Sequence, residues 1–220
     1  MSPLPPFRPE AVVFDLDGVL VDSEGLWAEA EQAVIEGLGR PWDPSIRPAL
    51  LGLGAREAAE LLAAHVGGID PDQMDGLIRA EITRRFTEGV PVTDGAMELV
   101  EQLAGRIPVG VATNSRRSLA MIALKSSGFA DLVDAFVSAD DVARPKPAPD
   151  PYLRACELLS ARPERSVAIE DSPTGAASAK AAGMWVIGCP SLDGQMLSAA
   201  DAIVGSLRQI DPVRLLTVAV

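Results

Sequence analysis

The second half of the chain alternates apolar, strand-like runs with helix-like runs, and this alternation constrains the fold more than any other feature. It begins near Pro91 and continues almost to the end of the sequence. The predicted helices are 94–105, 116–127, 150–160 and 173–182, and the predicted strands are 107–112, 133–138, 166–170, 184–188 and a weaker one at 202–204. Such alternation is typical of a parallel sheet with crossover helices. We therefore expect an α/β protein with a doubly wound, Rossmann-like parallel sheet.

A further strand and a purely helical block precede the alternating region. Residues 11–16 have the composition of the same sheet, whereas residues 23 to about 90 read only as helices. The predicted helices are 24–38, 55–66 and 71–87. Ser23 is the expected N-cap of the first helix, and Gly39 is expected to end it. The block is therefore interpreted as an all-α insertion. The expected domains are a core of residues 1–21 and 91–220 and a helical domain of residues 22–90.

Composition excludes several classes of protein. With 220 residues and 48% apolar content, the chain can bury a full core. Its net charge of −12 argues against nucleic acid or an anionic membrane as the main partner. Cys156 and Cys189 lack nearby Cys or His, so we expect buried thiols rather than zinc ligands or a disulfide framework. The sequence contains neither a signal-peptide pattern nor a bilayer-length apolar stretch, which predicts a cytoplasmic location. A monomer or weak homodimer is also expected.

The first strand ends on two carboxylates, Asp15 and Asp17, followed directly by Gly18. A strand buried on both faces should continue in apolar residues. Charges at its carboxyl end therefore fit the crevice where open α/β sheets bind their ligands. A carboxylate beside a second acid suits nucleophilic and acid–base chemistry. The alternative is a polar strand end that precedes a glycine turn.

Two further motifs lie between strands and helices. Thr113, Asn114 and Ser115 follow the strand that ends at residue 112, where side chains and helix-opening N–H groups suit an anion. An ordinary helix N-cap at Asn114 or Ser115 is the alternative. Lys146 stands between prolines in an extended loop, where it would neutralise a phosphoryl group or a second carboxylate. A solvated surface lysine is the alternative there.

Glu170 and Asp171 end another apolar strand, and two acids at such a position suggest ligands for a hard cation. A single capping Asp is the simpler interpretation of this motif alone. In a parallel sheet, however, all four motifs should converge on the same carboxyl edge. We therefore expect them to form one site.

The four motifs together resemble the haloacid dehalogenase superfamily over nearly the whole chain. They are Asp15-x-Asp17-Gly18, Thr113-Asn114, Lys146-Pro147 and Glu170-Asp171, in this order, with a helical insertion after the first. The resemblance implies a phosphatase in which Asp15 attacks phosphorus to form an aspartyl-phosphate. Asp17 would protonate the leaving oxygen and later activate water.

The resemblance also implies a Mg²⁺ cofactor, because the candidate ligands are all oxygens. They are the Asp15 carboxylate, the Asp17 carbonyl and Asp171, with Glu170 close by. Lys146 would screen the anionic phosphate from the anionic nucleophile. Thr113 and the Asn114 amide would hold the phosphoryl oxygens in the transition state.

The insertion looks like the helical cap of the family, which excludes water and supplies specificity. The glycine-rich turn 52–57 places Arg56 where it would grip a second anionic group or sugar hydroxyls, unless it is an ordinary surface arginine. Trp27 would stack on a sugar or nucleoside face, unless it belongs to the core. Arg40 and Arg47 are weaker candidates.

The run from Asp17 to Glu24 is similar to the β-phosphoglucomutase and sugar-phosphatase subfamily. Mutases typically carry a histidine soon after it, whereas this chain has Gly25-Leu26-Trp27-Ala28 there, and its single histidine is His65. Hydrolysis of a small phosphorylated metabolite, a sugar phosphate, is therefore the leading prediction. A hexose phosphomutase, a phosphoglycolate phosphatase and a phospho-acceptor signalling module rank lower, the last because its pocket has no helical block.

Overall fold

The chain forms two compact units in a computed structural model that describes residues 4–50, 53, 55–191 and 195–217. The core unit comprises residues 1–22 and 91–220, and the helical unit comprises residues 23–90. In the core unit, the Asp22 N–H donates to the Pro91 carbonyl at 2.9 Å, and Val21 forms an antiparallel bridge with Val92. The chain thus leaves the core unit and returns to it at adjacent positions.

The core unit contains a parallel sheet of six described strands. They are β1 (Ala11–Phe14), β2 (Val109–Ala112), β3 (Ala135–Val137), β4 (Ser166–Glu170), β5 (Trp185–Gly188) and β6 (Ala202–Ile203). Their order is β3-β2-β1-β4-β5-β6, and every neighbouring pair is parallel. β1 is therefore central, with β2 on one side and β4 on the other. The predicted α/β class with a Rossmann-like parallel sheet and a helical insertion is confirmed.

Apolar residues fill the central strands because helices cover both faces of the sheet. All residues of β1, β2 and β4 are buried. The helices of the core unit are α5 (Ala96–Leu103), α6 (Arg117–Ser126), α7 (Asp150–Leu158), α8 (Pro173–Ala181) and α9 (Pro212–Thr217). One buried cluster joins Val13 of β1, Tyr152 of α7 and Ala176 of α8. This packing fixes α7 and α8 over the sheet and so positions the loops that precede them.

The helical unit is built on four described helices with their own apolar core. They are α1 (Glu24–Gly37), α2 (Arg47–Leu50), α3 (Ala55–Val66) and α4 (Pro71–Glu88). Ile35, Leu62 and Met74 are buried together in its core. α4 begins where the Asp70 side chain accepts from the Asp72 N–H, with Pro71 at the first helical position. Beyond α1, Gly39 adopts a left-handed φ of 73°, which suits glycine after a helix end.

The predicted strands and long helices have observed counterparts, with ends that differ by at most two residues. β1 ends at Phe14 rather than residue 16, because the chain turns there and the Val21 N–H bonds the Leu16 carbonyl. Gly18 supports this turn with a φ of 81°. The short helices α2 and α9 were not predicted, since four to six residues show too little periodicity.

The described residues include both cysteines and the helices that bear on a possible membrane span. Cys156 and Cys189 are buried free thiols, as expected. Among the described helices, none combines the length and the apolar character needed to cross a bilayer.

Candidate active site

The ends of β1 and β4 and the loop before α7 meet in one buried cluster of charges. The Lys146 Nζ donates to Asp15 Oδ1 at 2.7 Å and to Glu170 Oε1 at 2.6 Å. Asp171 follows Glu170 directly and is also buried. The structure therefore brings together residues from three of the four motifs, as strand-end convergence predicted.

Lys146 is held in this position from both its side chain and its backbone. Its N–H donates to Asn114 Oδ1 at 2.9 Å, and the Asn114 Nδ2 donates to the Lys146 carbonyl at 3.0 Å. The lysine is 7% exposed, so the alternative of a solvated surface lysine is wrong. Burial lowers the pKa of Lys146, but Asp15 and Glu170 outweigh that effect and raise it, so the ammonium stays charged. The Asn114 side chain thus orients the lysine loop.

Glu170 is fully buried, and hydrogen-bond donors surround both of its oxygens. The Tyr152 hydroxyl donates to Oε1 at 2.6 Å, while the N–H and hydroxyl of Ser172 donate to Oε2 at 3.3 and 3.1 Å. Burial, and then Glu170, raises the pKa of Tyr152, which keeps its hydroxyl protonated as a donor. Sequence reasoning missed Tyr152. A tyrosine near the start of a helix with a buried face could have indicated such a donor, because a buried hydroxyl needs a hydrogen-bond partner.

The carboxylates form a group that fits a divalent cation. Ligand oxygens of Asp15, Glu170 and Asp171 lie within 4.8 Å of one another. Burial and the neighbouring carboxylates raise the pKa of Asp15 well above its usual value and that of Asp171 to about 7. Lys146 alone does not balance this negative charge, and oxygen donors suit a hard cation such as Mg²⁺.

Two neighbours restrict the orientation of the Asp171 carboxylate. The Ser191 hydroxyl donates to Asp171 Oδ2 at 2.6 Å. A Cβ atom on Gly18 would overlap the same oxygen. Gly18 therefore serves both the left-handed turn and the close approach of Asp171. Sequence reasoning missed Ser191, since it belongs to the loop after β5.

Asp17 is linked to the end of β2 through Ser115. The Ser115 hydroxyl donates to Asp17 Oδ2 at 2.7 Å, and its N–H donates to Thr113 Oγ1 at 3.0 Å. Helix α6 begins later, at Arg117, with Arg116 as its N-cap residue. The interpretation of Asn114 or Ser115 as the N-cap is therefore wrong. Their side chains contact Lys146 and Asp17 instead.

The structure places two candidates of the helical unit in local contacts within that unit. Trp27 packs edge-on against Phe86, with ring centroids 6.3 Å apart, and borders the apolar core of the unit. Arg56 is exposed and forms ion pairs with Glu60 at 2.8 Å and with Asp72. These contacts are the ones expected of an aromatic residue of the core and of an ordinary surface arginine. A role of Trp27 and Arg56 in substrate binding therefore stays a prediction.

The other two candidates for substrate contact, Arg47 and Arg40, also belong to the helical unit. Arg47 forms ion pairs with Glu31 at 2.5 Å and with Glu24, which joins α2 to α1. Arg40 is exposed. Gly52 and Gly54 of the predicted turn lie outside the described residues.

Known proteins resemble this chain over most of its length. A family model for haloacid dehalogenase-like hydrolases matches residues 9–183. A validoxylamine A 7'-phosphate phosphatase from Streptomyces hygroscopicus is 34% identical over 203 residues, covering 91% of this chain and 95% of the relative. A phosphorylated carbohydrates phosphatase from Thermotoga maritima is 33% identical over 177 residues, covering 80% and 82%.

A solved structure shows the same fold. CbbY from Rhodobacter sphaeroides, in complex with phosphate, superimposes with a TM-score of 0.79 at 28% identity, covering 90% of this chain and 95% of that one. The family match spans the first strand, the insertion and all four strand-end motifs. The chain is therefore a hydrolase that belongs to the haloacid dehalogenase-like family.

Proposed function

We propose that this hydrolase is a Mg²⁺-dependent phosphatase that cleaves a small sugar phosphate through an aspartyl-phosphate intermediate on Asp15. The observation that carries the proposal is the buried contact of Asp15 with Lys146, beside Glu170 and Asp171. Similarity to a relative named as a validoxylamine A 7'-phosphate phosphatase and to one named as a phosphorylated carbohydrates phosphatase supports the substrate class.

Asp15 is the proposed nucleophile. The Lys146 ammonium, 2.7 Å from Asp15 Oδ1, orients the carboxylate and reduces its repulsion of an incoming phosphate. An Asp15 oxygen then bonds to phosphorus while the bond from phosphorus to the ester oxygen breaks. In the second step, a water oxygen bonds to phosphorus, and the bond to Asp15 breaks with release of phosphate.

Asp17 is the proposed acid and base. It donates a proton to the leaving ester oxygen, so that the alcohol departs neutral. The resulting carboxylate then accepts a proton from the attacking water, which restores the starting state. The Ser115 hydroxyl, 2.7 Å from Asp17 Oδ2, orients this carboxylate between the two steps.

Asp15, Asp171 and the Asp17 carbonyl would hold Mg²⁺, with Glu170 completing the acidic group. When bound, the metal would neutralise charge on the transferred phosphoryl group. Glu170 also accepts hydrogen bonds from Lys146, Tyr152 and Ser172, so it positions the lysine in addition to adding charge to the group.

Thr113 and the Asn114 backbone amide are proposed to bind the phosphoryl oxygens. The helical unit is proposed as the cap that selects the substrate, with Arg56 and Trp27 as candidate contacts. We propose a cytoplasmic monomer or weak homodimer without nucleic acid or membrane partners, consistent with the net charge of −12.

Release of phosphate from a panel of sugar phosphates, with and without Mg²⁺, tests the proposal. We expect turnover that a chelator abolishes and that Asp15→Asn reduces by at least about a thousandfold. Asp131→Asn, which neutralises an exposed carboxylate in the same unit, should leave turnover unchanged.

Two results would contradict the proposed phosphatase. Isomerisation of a hexose phosphate that needs a bisphosphate primer and outpaces hydrolysis would identify a mutase. Phosphorylation of the protein followed only by slow self-dephosphorylation would identify a phospho-acceptor signalling module.

A further inference from the structure

A cavity lies in the core unit at the amino ends of the parallel strands, opposite the edge that carries the acids. Its volume is about 410 Å³. The lining residues are Arg8, Pro9, Glu10, Arg106, Ile107, Pro108, Arg165 and Leu216. All of them except Leu216 directly precede β1, β2 or β4, the three central strands. Because parallel strands align their amino ends as well as their carboxyl ends, three arginines from distant parts of the sequence meet here.

These arginines form no ion pair with a described carboxylate. Within the described part of the chain, no carboxylate oxygen lies within 4.0 Å of the guanidinium groups of Arg8, Arg106 or Arg165. Glu10 is the one acid among the described lining residues, and it is paired with Arg162 outside the cavity. Hydrogen bonds from Arg162 lower the pKa of Glu10 to about 2, and Arg165 contributes to this shift. Three arginines against one ion-paired glutamate give the described lining a net positive charge, on a protein of net charge −12.

Arg165 is fixed in place but retains an unsatisfied donor. Its Nη2 donates to the Arg8 carbonyl at 3.2 Å, and its guanidinium lies over the Phe7 ring, 5.0 Å from the centroid. Its Nε is buried and has no hydrogen-bond partner among the described residues. An unpaired buried donor costs folding free energy unless a water molecule or an ion supplies the partner.

We infer that this cavity binds a multivalent phosphate anion. Three guanidinium groups offer several N–H donors in the fork geometry that suits phosphate oxygens. The apolar side chains of Pro9, Ile107 and Leu216 lower the local dielectric and so strengthen these interactions. β1 is four residues long, which places the cavity about 13 Å from the carboxylates at its other end. The inference is therefore independent of the proposed phosphatase reaction.

Calorimetric titration with inorganic diphosphate tests this site. The intact protein is titrated at low ionic strength in the presence of a chelator, which suppresses metal-dependent binding at the candidate active site. We expect Arg106→Gln and Arg8→Gln each to weaken binding about tenfold. Both side chains are exposed, so these variants should fold. Arg84→Gln, which removes one exposed arginine of the helical unit, should leave the affinity unchanged.

Three results would overturn the inference. The first is the absence of diphosphate binding to the unaltered chain. The second is an equal affinity of Arg106→Gln and Arg84→Gln. The third is loss of binding in Lys146→Met together with full binding in Arg106→Gln, because the titrated site would then be the cluster around Asp15.

Discussion

At the scale of single residues, Lys146 connects the parts of the candidate active site. One ammonium group contacts Asp15 and Glu170, and the Asn114 side chain holds the backbone of the same lysine. A buried ion pair is stable only when its remaining polar atoms are also satisfied. The Tyr152 and Ser172 bonds to Glu170 meet that requirement.

Removing the Tyr152 hydroxyl should weaken this network without changing its shape. We expect Tyr152→Phe to lower the free energy of unfolding by about 2 kcal/mol, because a fully buried hydrogen bond to a charged group is lost. Urea denaturation measures the change. Ser126→Ala, which removes an exposed hydroxyl with only a 3.3 Å bond inside its own helix, should change stability by less than about 0.5 kcal/mol. Equal stabilities of the two variants would contradict the assigned role of Tyr152.

At the scale of elements, helix α8 approaches the site so closely that only glycine fits at residue 175. A Cβ atom on Gly175 would overlap the Glu170 carboxylate. Alanine normally stabilises a helix by about 1 kcal/mol relative to glycine. We expect Gly175→Ala instead to destabilise the chain and to reduce phosphatase activity, because Glu170 must move away from Lys146.

Gly76 provides the matched control in helix α4. It is exposed, and nothing lies within 4 Å of a Cβ atom built on it. Gly76→Ala should therefore raise the free energy of unfolding by up to about 1 kcal/mol. Thermal or urea unfolding of both variants tests the contrast, and stabilisation by both would exclude the close approach at Gly175.

The packing of α1 against α2 should depend on pH through Glu31. Burial raises the pKa of Glu31 from 4.5 to about 7, although Arg47 opposes the shift. Because the pKa of Glu31 is higher in the folded chain than in the unfolded chain, protonation of Glu31 stabilises the fold. This stabilisation is complete below pH 4.5 and is lost as the pH rises through 7. The stability of the unaltered chain relative to Glu31→Gln should fall by about 2.5 kcal/mol between pH 5 and pH 8.

Urea denaturation of both chains at the two pH values measures this difference. Glu36→Gln, an exposed substitution in the same helix, should show little pH dependence relative to the unaltered chain. If the difference in the free energy of unfolding between the unaltered chain and Glu31→Gln were the same at both pH values, Glu31 would titrate in its usual range.

At the scale of the whole molecule, the helical unit is an insertion between two adjacent points of the core unit. Asp22 and Pro91 are hydrogen-bonded, so a short Gly-Ser linker can replace residues 23–90. We expect the shortened chain to fold cooperatively and to hydrolyse a simple aryl phosphate. Its preference among sugar phosphates should disappear, because the proposed cap is gone.

Circular dichroism melting and kcat/KM values across the substrate panel test this prediction. An unchanged order of sugar phosphates in the shortened chain would show that the core unit selects the substrate. Failure to fold would show that the core unit depends on the insertion.

Strand-end reasoning predicted much of the candidate site, because the carboxyl ends of parallel strands must share one edge. Asp15, Lys146 and Glu170 were predicted in this way. Tyr152 and Ser191 were missed, since their partners depend on how a helix and a loop pack over that edge. Trp27 remained ambiguous because an aromatic side chain on a helix suits a core as well as a ligand.

The sequence by itself determined the α/β class, the position of the helical insertion and the edge of the sheet that carries the acids. These features follow from local periodicity and from the geometry of parallel strands, which need no knowledge of side-chain contacts. Only the tertiary structure decided that Lys146 contacts Asp15 across 131 residues, that Asn114 holds the lysine loop and that three arginines line one cavity. Such contacts arise when helices and loops from distant parts of the chain pack together, and no local pattern encodes their partners.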